Sequence, residues 1–140
     1  MALVDVRPYM RSIMDGLDYS EWKDGFNSEN IPSTIIDGSY HLATGTITGS
    51  TANQQIRTFD YTLVTRVFFK GFRDPAGAID DALGAADTIL ASALADASRL
   101  SQANIKDIIP NTIQVLPLEA SNDNSVILEM DFSFNIYECY

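Results

Sequence analysis

Between Ile56 and Ala97 the chain changes its hydrophobic period once, and that change dictates a strand, a turn and a helix. In the strand half, Phe59, Tyr61, Leu63, Val67 and Phe69 fall on one face, and Thr58, Asp60, Thr62, Arg66 and Lys70 on the other. One apolar and one wet face at a period of two is the pattern of an antiparallel strand on a half-covered sheet. Gly71 to Pro75 breaks the alternation, with Asp74 placed as N-cap and Pro75 at the first helical position, where a missing N–H leaves no acceptor unsatisfied. Thereafter Ile79, Leu83, Ala86, Leu90, Ala93, Leu94 and Ala97 recur at three- and four-residue steps, with Asp80, Asp81 and Asp87 off the stripe. That spacing predicts an amphipathic helix laid across the apolar face of the strand.

With 140 residues the chain is read as one domain, 1–140, large enough to form a core without disulfides or a metal. Its one cysteine, Cys139, has no internal partner for a bridge, so a cytoplasmic folding compartment is expected. No stretch approaches the ~20 apolar residues of a membrane span, and the N-terminus lacks the pattern of a signal peptide. A soluble protein is expected. Nineteen acidic against nine basic side chains give a formal charge of −10. Such a balance repels a phosphate backbone and argues against nucleic-acid binding, yet it suits a wall along which DNA slides without sticking. Composition alone accounts for the acidity as solubility.

In chain order, Leu3, Val6, Met10, Ile13, Met14 and Leu17 predict a first helix from about Asp5 to Gly16, with Pro8 in its first turn. The aperiodic stretch from Asp18 to Pro32 holds Tyr19, Trp22 and Phe26, too much aromatic area for a free linker. It reads as an ordered loop packed on the domain or on a neighbouring subunit. After a turn at Asp37-Gly38, a strand is expected from Ser39 to Gly49, with Tyr40, Leu42, Thr44, Thr46 and Thr48 on one side and His41, Ala43, Gly45, Ile47 and Gly49 on the other. The uncharged run from Gly49 to Gln55 reads as a hairpin loop. Ile105 to Ile109 read as a short turn before Pro110, and Thr112 to Leu118 as a strand that Pro117 places at a sheet edge. The last strand alternates Val126, Leu128, Met130, Phe132, Phe134 and Ile136 with Glu129, Asp131, Ser133 and Asn135, and is the natural partner of the Ile56–Lys70 strand. Their wet faces would oppose Arg57, Arg66 and Lys70 to Glu129 and Asp131. The architecture is therefore α+β: an antiparallel sheet of about four strands with two helices packed mainly on one face.

Chemistry is hard to find in this pattern. His41 is the single histidine, and Gly38-Ser39-Tyr40-His41-Leu42 matches no nucleophile motif. One His and one Cys far apart form no zinc pattern, and Asp80-Asp81 at a helix start follow from the helix dipole. No cofactor, metal or catalytic residue is expected, and the chain is read as a protein without enzymatic activity. Gly77 and Gly84, set among Ala78, Ala82, Ala85, Ala86, Ala91, Ala93 and Ala95, fit no phosphate loop. They make a slender helix able to approach closely either its own sheet or a second subunit. Val64 and Phe68 on the wet face, with Trp22 and its loop, are apolar remainders of the kind that mark contact surfaces.

These residues resemble the tail terminator family of long-tailed bacteriophages, also called tail completion or tail-to-head joining proteins. The features that carry the likeness are Gly16-Leu17-Asp18-Tyr19 closing the first helix, then Glu21-Trp22 and the Phe26 to Pro32 stretch. Ser39-Tyr40-His41 opens a strand, the Arg57–Lys70 strand follows, and Arg73-Asp74-Pro75 precedes an Ala-rich helix before a closing amphipathic strand. The resemblance implies a structural virion protein at the head-proximal end of the tail, assembled in the host cytoplasm. It implies a homohexameric ring that caps the tail tube, stops its polymerisation and joins the head connector, with DNA passing through the lumen unbound. Its partners would be further copies of itself, the tube protein and the connector, with no membrane. On this reading Ser50, Thr51, Ala52, Asn53, Gln54 and Gln55 are candidate contacts to a neighbouring ring, and Trp22, Phe26, Arg57, Arg66, Lys70, Glu129 and Asp131 candidate subunit contacts. The alternatives are another neck or head-completion protein, a tube protein, or a small ligand-binding or hydrolase domain.

Overall fold

A computed structural model describes residues 2–27, 29–51, 56–71, 75–95, 104–118 and 125–139. The elements are α1 (Ala2–Gly16), β1 (Ser20–Glu21), β2 (Ser39–Thr51), β3 (Ile56–Phe69), α2 (Pro75–Ala95), β4 (Ile105–Pro117) and β5 (Val126–Cys139). They form one sheet in the order β1-β2-β3-β5-β4. The fold is α+β as expected. The sheet has five strands rather than four and is mixed: β1, too short to show a period, pairs parallel to β2, while all other pairs are antiparallel.

At the centre, β3 and β5 pair without interruption from Ile56↔Cys139 to Phe69↔Val126. The shared alternation of the two strands puts Tyr61, Leu63 and Val67 on the same face as Leu128, Met130, Phe132 and Phe134, all buried. Both helices cover that face. From α1 come Val6, Met10 and Met14, from α2 Ala78, Ala82, Ile89 and Ala93. Tyr9 joins the helices by donating its hydroxyl to the Ala93 carbonyl at 2.8 Å.

The helix starts differ from expectation in one case. α2 begins at Pro75 as its ring predicts, and Asp74 lies outside the described residues. α1 begins at Ala2, so Pro8 sits inside the helix rather than in its first turn. There its missing N–H deprives the Val4 carbonyl of an intrahelical partner, at an exposed part of the helix.

A larger correction concerns which side of α2 faces the sheet. Ala86 and Ala93 of the predicted stripe are buried, but Ile79, Leu83 and Leu94 are 42%, 48% and 43% exposed, and Ala97 lies outside the described residues. The sheet is met by Ala78, Ala82, Ala85, Ala86, Ile89 and Ala93 instead. The helix carries two apolar stripes side by side, and the one made of small residues allows the closer backbone approach. The close-packing surface of the Ala-rich helix is thus within its own chain.

Bulges account for the errors in the outer strands. In β2 the register shifts between Thr44 and Ile47, opposite Thr62. Gly45 lies over Thr62, whose Cγ2 would be 3.3 Å from an added Cβ, and a glycine there permits the irregularity. Beyond the shift the faces exchange: Ile47 pairs with Tyr61 and Gly49 with Phe59, on the helix side, which is the reverse of simple alternation. The strand also runs on to Thr51, so Gly49, Ser50 and Thr51 belong to the sheet and not to the loop, while 52–55 lie outside the described residues. β4 is continuous from Ile105 through Pro110 to Pro117, replacing the predicted turn. Register shifts at Ile105/Asp107 and Pro110/Thr112 let an edge strand carry a proline that has no N–H to give.

On the opposite face, the loop after β1 folds back over the sheet. Phe26 is buried with Phe68, Ile127 and Leu118, and Trp22, Ile31 and Ile35 pack around them. Gly25 and Gly38, both at φ +81°, shape this loop. Phe68, an apolar remainder in the sequence, is thus covered by its own chain.

The facing of α2 makes a direct test. Ala82→Leu should destabilise the domain by about 1–3 kcal/mol through overpacking, and Leu83→Ala should stay within about 0.5 kcal/mol, in urea unfolding followed by circular dichroism. A large loss at Leu83 with none at Ala82 would restore the orientation expected from residue size.

Candidate functional site

Two surfaces stand apart from the rest. One is a cleft of about 450 Å³ beside β1 and β2, lined by Arg7, Arg11, Glu21, Lys23, His41 and Leu42. The helix positions its arginines: one turn apart on α1, Arg7 donates from Nη1 to the Leu42 carbonyl at 2.9 Å and to Thr44 Oγ1 at 3.3 Å, and Arg11 donates to Glu21 at 2.5 Å. That pairing raises the Arg11 pKa. Tyr40 completes the strand-to-helix tie by donating to Asp15 at 2.9 Å, and burial, reinforced by this bond, raises its pKa strongly. Three of the chain's nine cations thus meet in one concavity of an acidic protein, with a single carboxylate among them.

His41 projects from β2 toward the other face, where its ring lies 6.2 Å from that of Phe26. Burial lowers its pKa, the nearby Arg66 and Arg7 lower it further, and a hydrogen bond to the Trp22 backbone works the other way. A neutral imidazole wedged under an aromatic ring and against Gly25 is a packing group here. Among the described residues no three His, Cys, Asp or Glu side chains are grouped to hold a metal, and no helix is long and apolar enough to cross a membrane.

The second surface is the outward side of α2, where Ile79, Leu83 and Leu94 stand exposed. Asp80 and Asp87, also exposed, border it at helical spacing. α2 lies over β5 and β4, so this stripe and the basic cleft sit toward opposite edges of the sheet.

The residues singled out from sequence are divided by the structure. Arg66 and Glu129 are directly paired across β3 and β5, with Nε 3.0 Å from the carboxylate. Arg57 lies opposite Glu138 rather than near Asp131. Asp131 sits between Val64 and Thr112, with one carboxylate oxygen buried and without a hydrogen-bond partner. The Lys70 backbone N–H is held by Asp37 at 2.8 Å. Phe26 is buried and Trp22 half-buried within their own chain. Ser50 and Thr51 are paired with Thr58 and Arg57, and Ala52, Asn53, Gln54 and Gln55 lie outside the described residues. Sequence reasoning missed the cleft. Arg7 and Arg11 four apart on a predicted helix were the available signal, but Lys23 and His41 join them only through the return of β2.

No protein-family model matches the chain, and no curated protein matches it significantly. Functional assignment therefore rests on these surfaces and on the resemblance in layout.

The His41 environment gives a pH dependence of defined sign. Its folded-state pKa lies below the ordinary 6.5, so below pH ~6.5 the unfolded chain binds a proton that the folded chain resists, and stability falls as pH drops toward the folded pKa. His41→Gln should flatten the part of the pH 7 to 5 stability loss that belongs to this group, measured as urea midpoints of both proteins. An unchanged slope would show that His41 does not contribute.

Proposed function

We propose that this chain is a structural assembly protein of a long-tailed phage virion, a terminator that forms a ring of six on the end of the tail tube. In this role it halts tube growth and offers the surface to which the head connector joins. The single observation that carries the self-association part is the aliphatic row Ile79, Leu83 and Leu94 on the outside of a helix that packs inward with alanine. Large side chains left in water on a regular helix, while small ones are buried, forfeit hydrophobic stabilisation unless another surface covers them.

Two further features support the reading. The wet sheet face pairs several of its polar groups, with Asn135 donating to Asp60 at 3.1 Å, Asn111 to Ser133 at 2.6 Å, and Arg66 paired to Glu129, while one Asp131 oxygen has no partner. A polar face with an acidic excess suits the lining of a passage for DNA, which it repels. The layout resemblance runs through nearly all elements, from α1 through the Pro75 helix to β5. The terminal role, the connector and the number six come from that resemblance.

The test is the mass of the full chain in solution over a concentration series, by light scattering and native mass spectrometry, with and without purified tail tubes. A discrete ring near six subunits is expected, alone or on tubes. A monomer in both conditions would overturn the proposal, and an open-ended filament would identify a tube protein instead. Leu83→Asp and Leu94→Asp should abolish the ring while leaving unfolding free energy within about 0.5 kcal/mol of wild type.

A further inference from the structure

The ring reading leaves open which surfaces meet, and on that reading the geometry points to a head-to-tail contact. In it the outer face of α2 on one copy seats against the basic cleft of the next. The α2 side offers an apolar row edged by two carboxylates. Asp80 and Asp87 are seven apart, and Leu83 lies between them at helical spacing from both, so acids and aliphatics form parallel lines along one helix.

The cleft side offers the complement. Val4 on α1 is 69% exposed, and the helical period brings it onto the same side as Arg7 and Arg11. Arg7 and Arg11 are held in place by Leu42 and Glu21. Lys23 is exposed and belongs to no ion pair seen among the described residues. An apolar residue edged by cations therefore faces an apolar row edged by anions.

Charge decides between the possible pairings. Two copies joined by a two-fold axis through α2 would set Asp80 and Asp87 against their own images, and two clefts would set arginine against arginine. Like charges brought together across an interface repel and suppress that pairing. Only the unlike pairing matches sign to sign, and unlike surfaces on one molecule make a heterologous contact, which closes into a ring when the rotation allows it. The cleft opens beside β1 and β2 while α2 lies over β5 and β4, so one copy presents the two surfaces toward opposite edges of its sheet.

The experiment is charge exchange in the full chain. Asp80→Lys/Asp87→Lys and, separately, Arg11→Glu/Lys23→Glu should each raise the midpoint concentration for assembly at least tenfold. Mixed in equal amounts they should assemble again, because each reversed cleft then meets a reversed helix and each native cleft a native one. Native mass spectrometry should find the two variants in equal numbers in the recovered species. Lys23→Glu alone, on an exposed side chain, should weaken assembly in the same direction and serves if loss of the Arg11–Glu21 pair disturbs folding. Variants that assemble like wild type, or a mixture that fails to recover while the wild-type ring forms, would overturn this contact and leave the ring reading intact. A wild-type chain that stays monomeric on tubes overturns both.

Discussion

The unbroken pairing of β3 with β5 is the constraint on which the rest of the molecule depends. Each strand is fourteen residues long, and their register sets the buried Tyr61, Leu63 and Val67 of one opposite Phe134, Phe132 and Leu128 of the other. A slip of a single residue would turn Phe132, Phe134 and Met130 to the wet face and bring Asp131 and Ser133 beneath the helices. That penalty fixes the register, and the register fixes the apolar floor onto which α1 and α2 must pack. The ion pair of Arg66 with Glu129 is a consequence of this register on the far side of the sheet; at partial exposure it contributes little to stability.

Given the floor, the sheet-facing side of α2 is chosen by fit rather than by hydrophobicity. A helix with Ala78, Ala82, Ala85 and Ala86 against the sheet comes close enough for Ile89 to fill the remaining space and for Tyr9 to reach the Ala93 carbonyl. Turning the helix to bury Ile79 and Leu83 would push it outward and strand that hydrogen bond. The outcome is a chain that is well packed inside yet leaves Ile79, Leu83 and Leu94 at its surface. Close packing within the chain and the exposed aliphatic row thus fall on adjacent stripes of one helix.

This arrangement explains how far the sequence could be read. β3 and β5 were legible because both faces of each strand are fixed by one environment throughout, so the alternation is never interrupted. The Pro75 start of α2 was legible from local backbone chemistry. Its facing was not, because periodicity locates apolar stripes but does not rank a stripe of alanine against one of leucine; that ranking depends on the distance at which the sheet accepts the helix. The far half of β2 and the extent of β4 failed at their bulges, where Gly45 and Pro110 were the local marks but the number of residues skipped depends on the partner strand. The aromatic content of Trp22 and Phe26 announced a cover without saying for which surface. The basic cleft lay beyond reach because its residues come from α1, the loop after β1, and β2, which meet only once the sheet exists.

The edges of the sheet bear on how copies can associate. Addition of a strand from a neighbour needs a run of free N–H and carbonyl groups in regular register. β4 offers two prolines and two register shifts, and such edges accept a partner poorly. The start of β2 is occupied by β1, whose cover is extended where the Trp22 N–H reaches the Tyr40 carbonyl at 2.7 Å, and Arg7 takes the next outward carbonyl, that of Leu42. A guanidinium over an edge blocks a strand from approaching as effectively as a charged side chain of the strand itself. Past Thr44 the bulge interrupts the register, leaving only Ile47 to Thr51 as a short regular stretch. Strand addition along either edge is therefore a weak basis for a stable ring. The same arginine that closes the β2 edge also places positive charge in the cleft, so one side chain both resists a neighbour's strand and shapes the basic concavity.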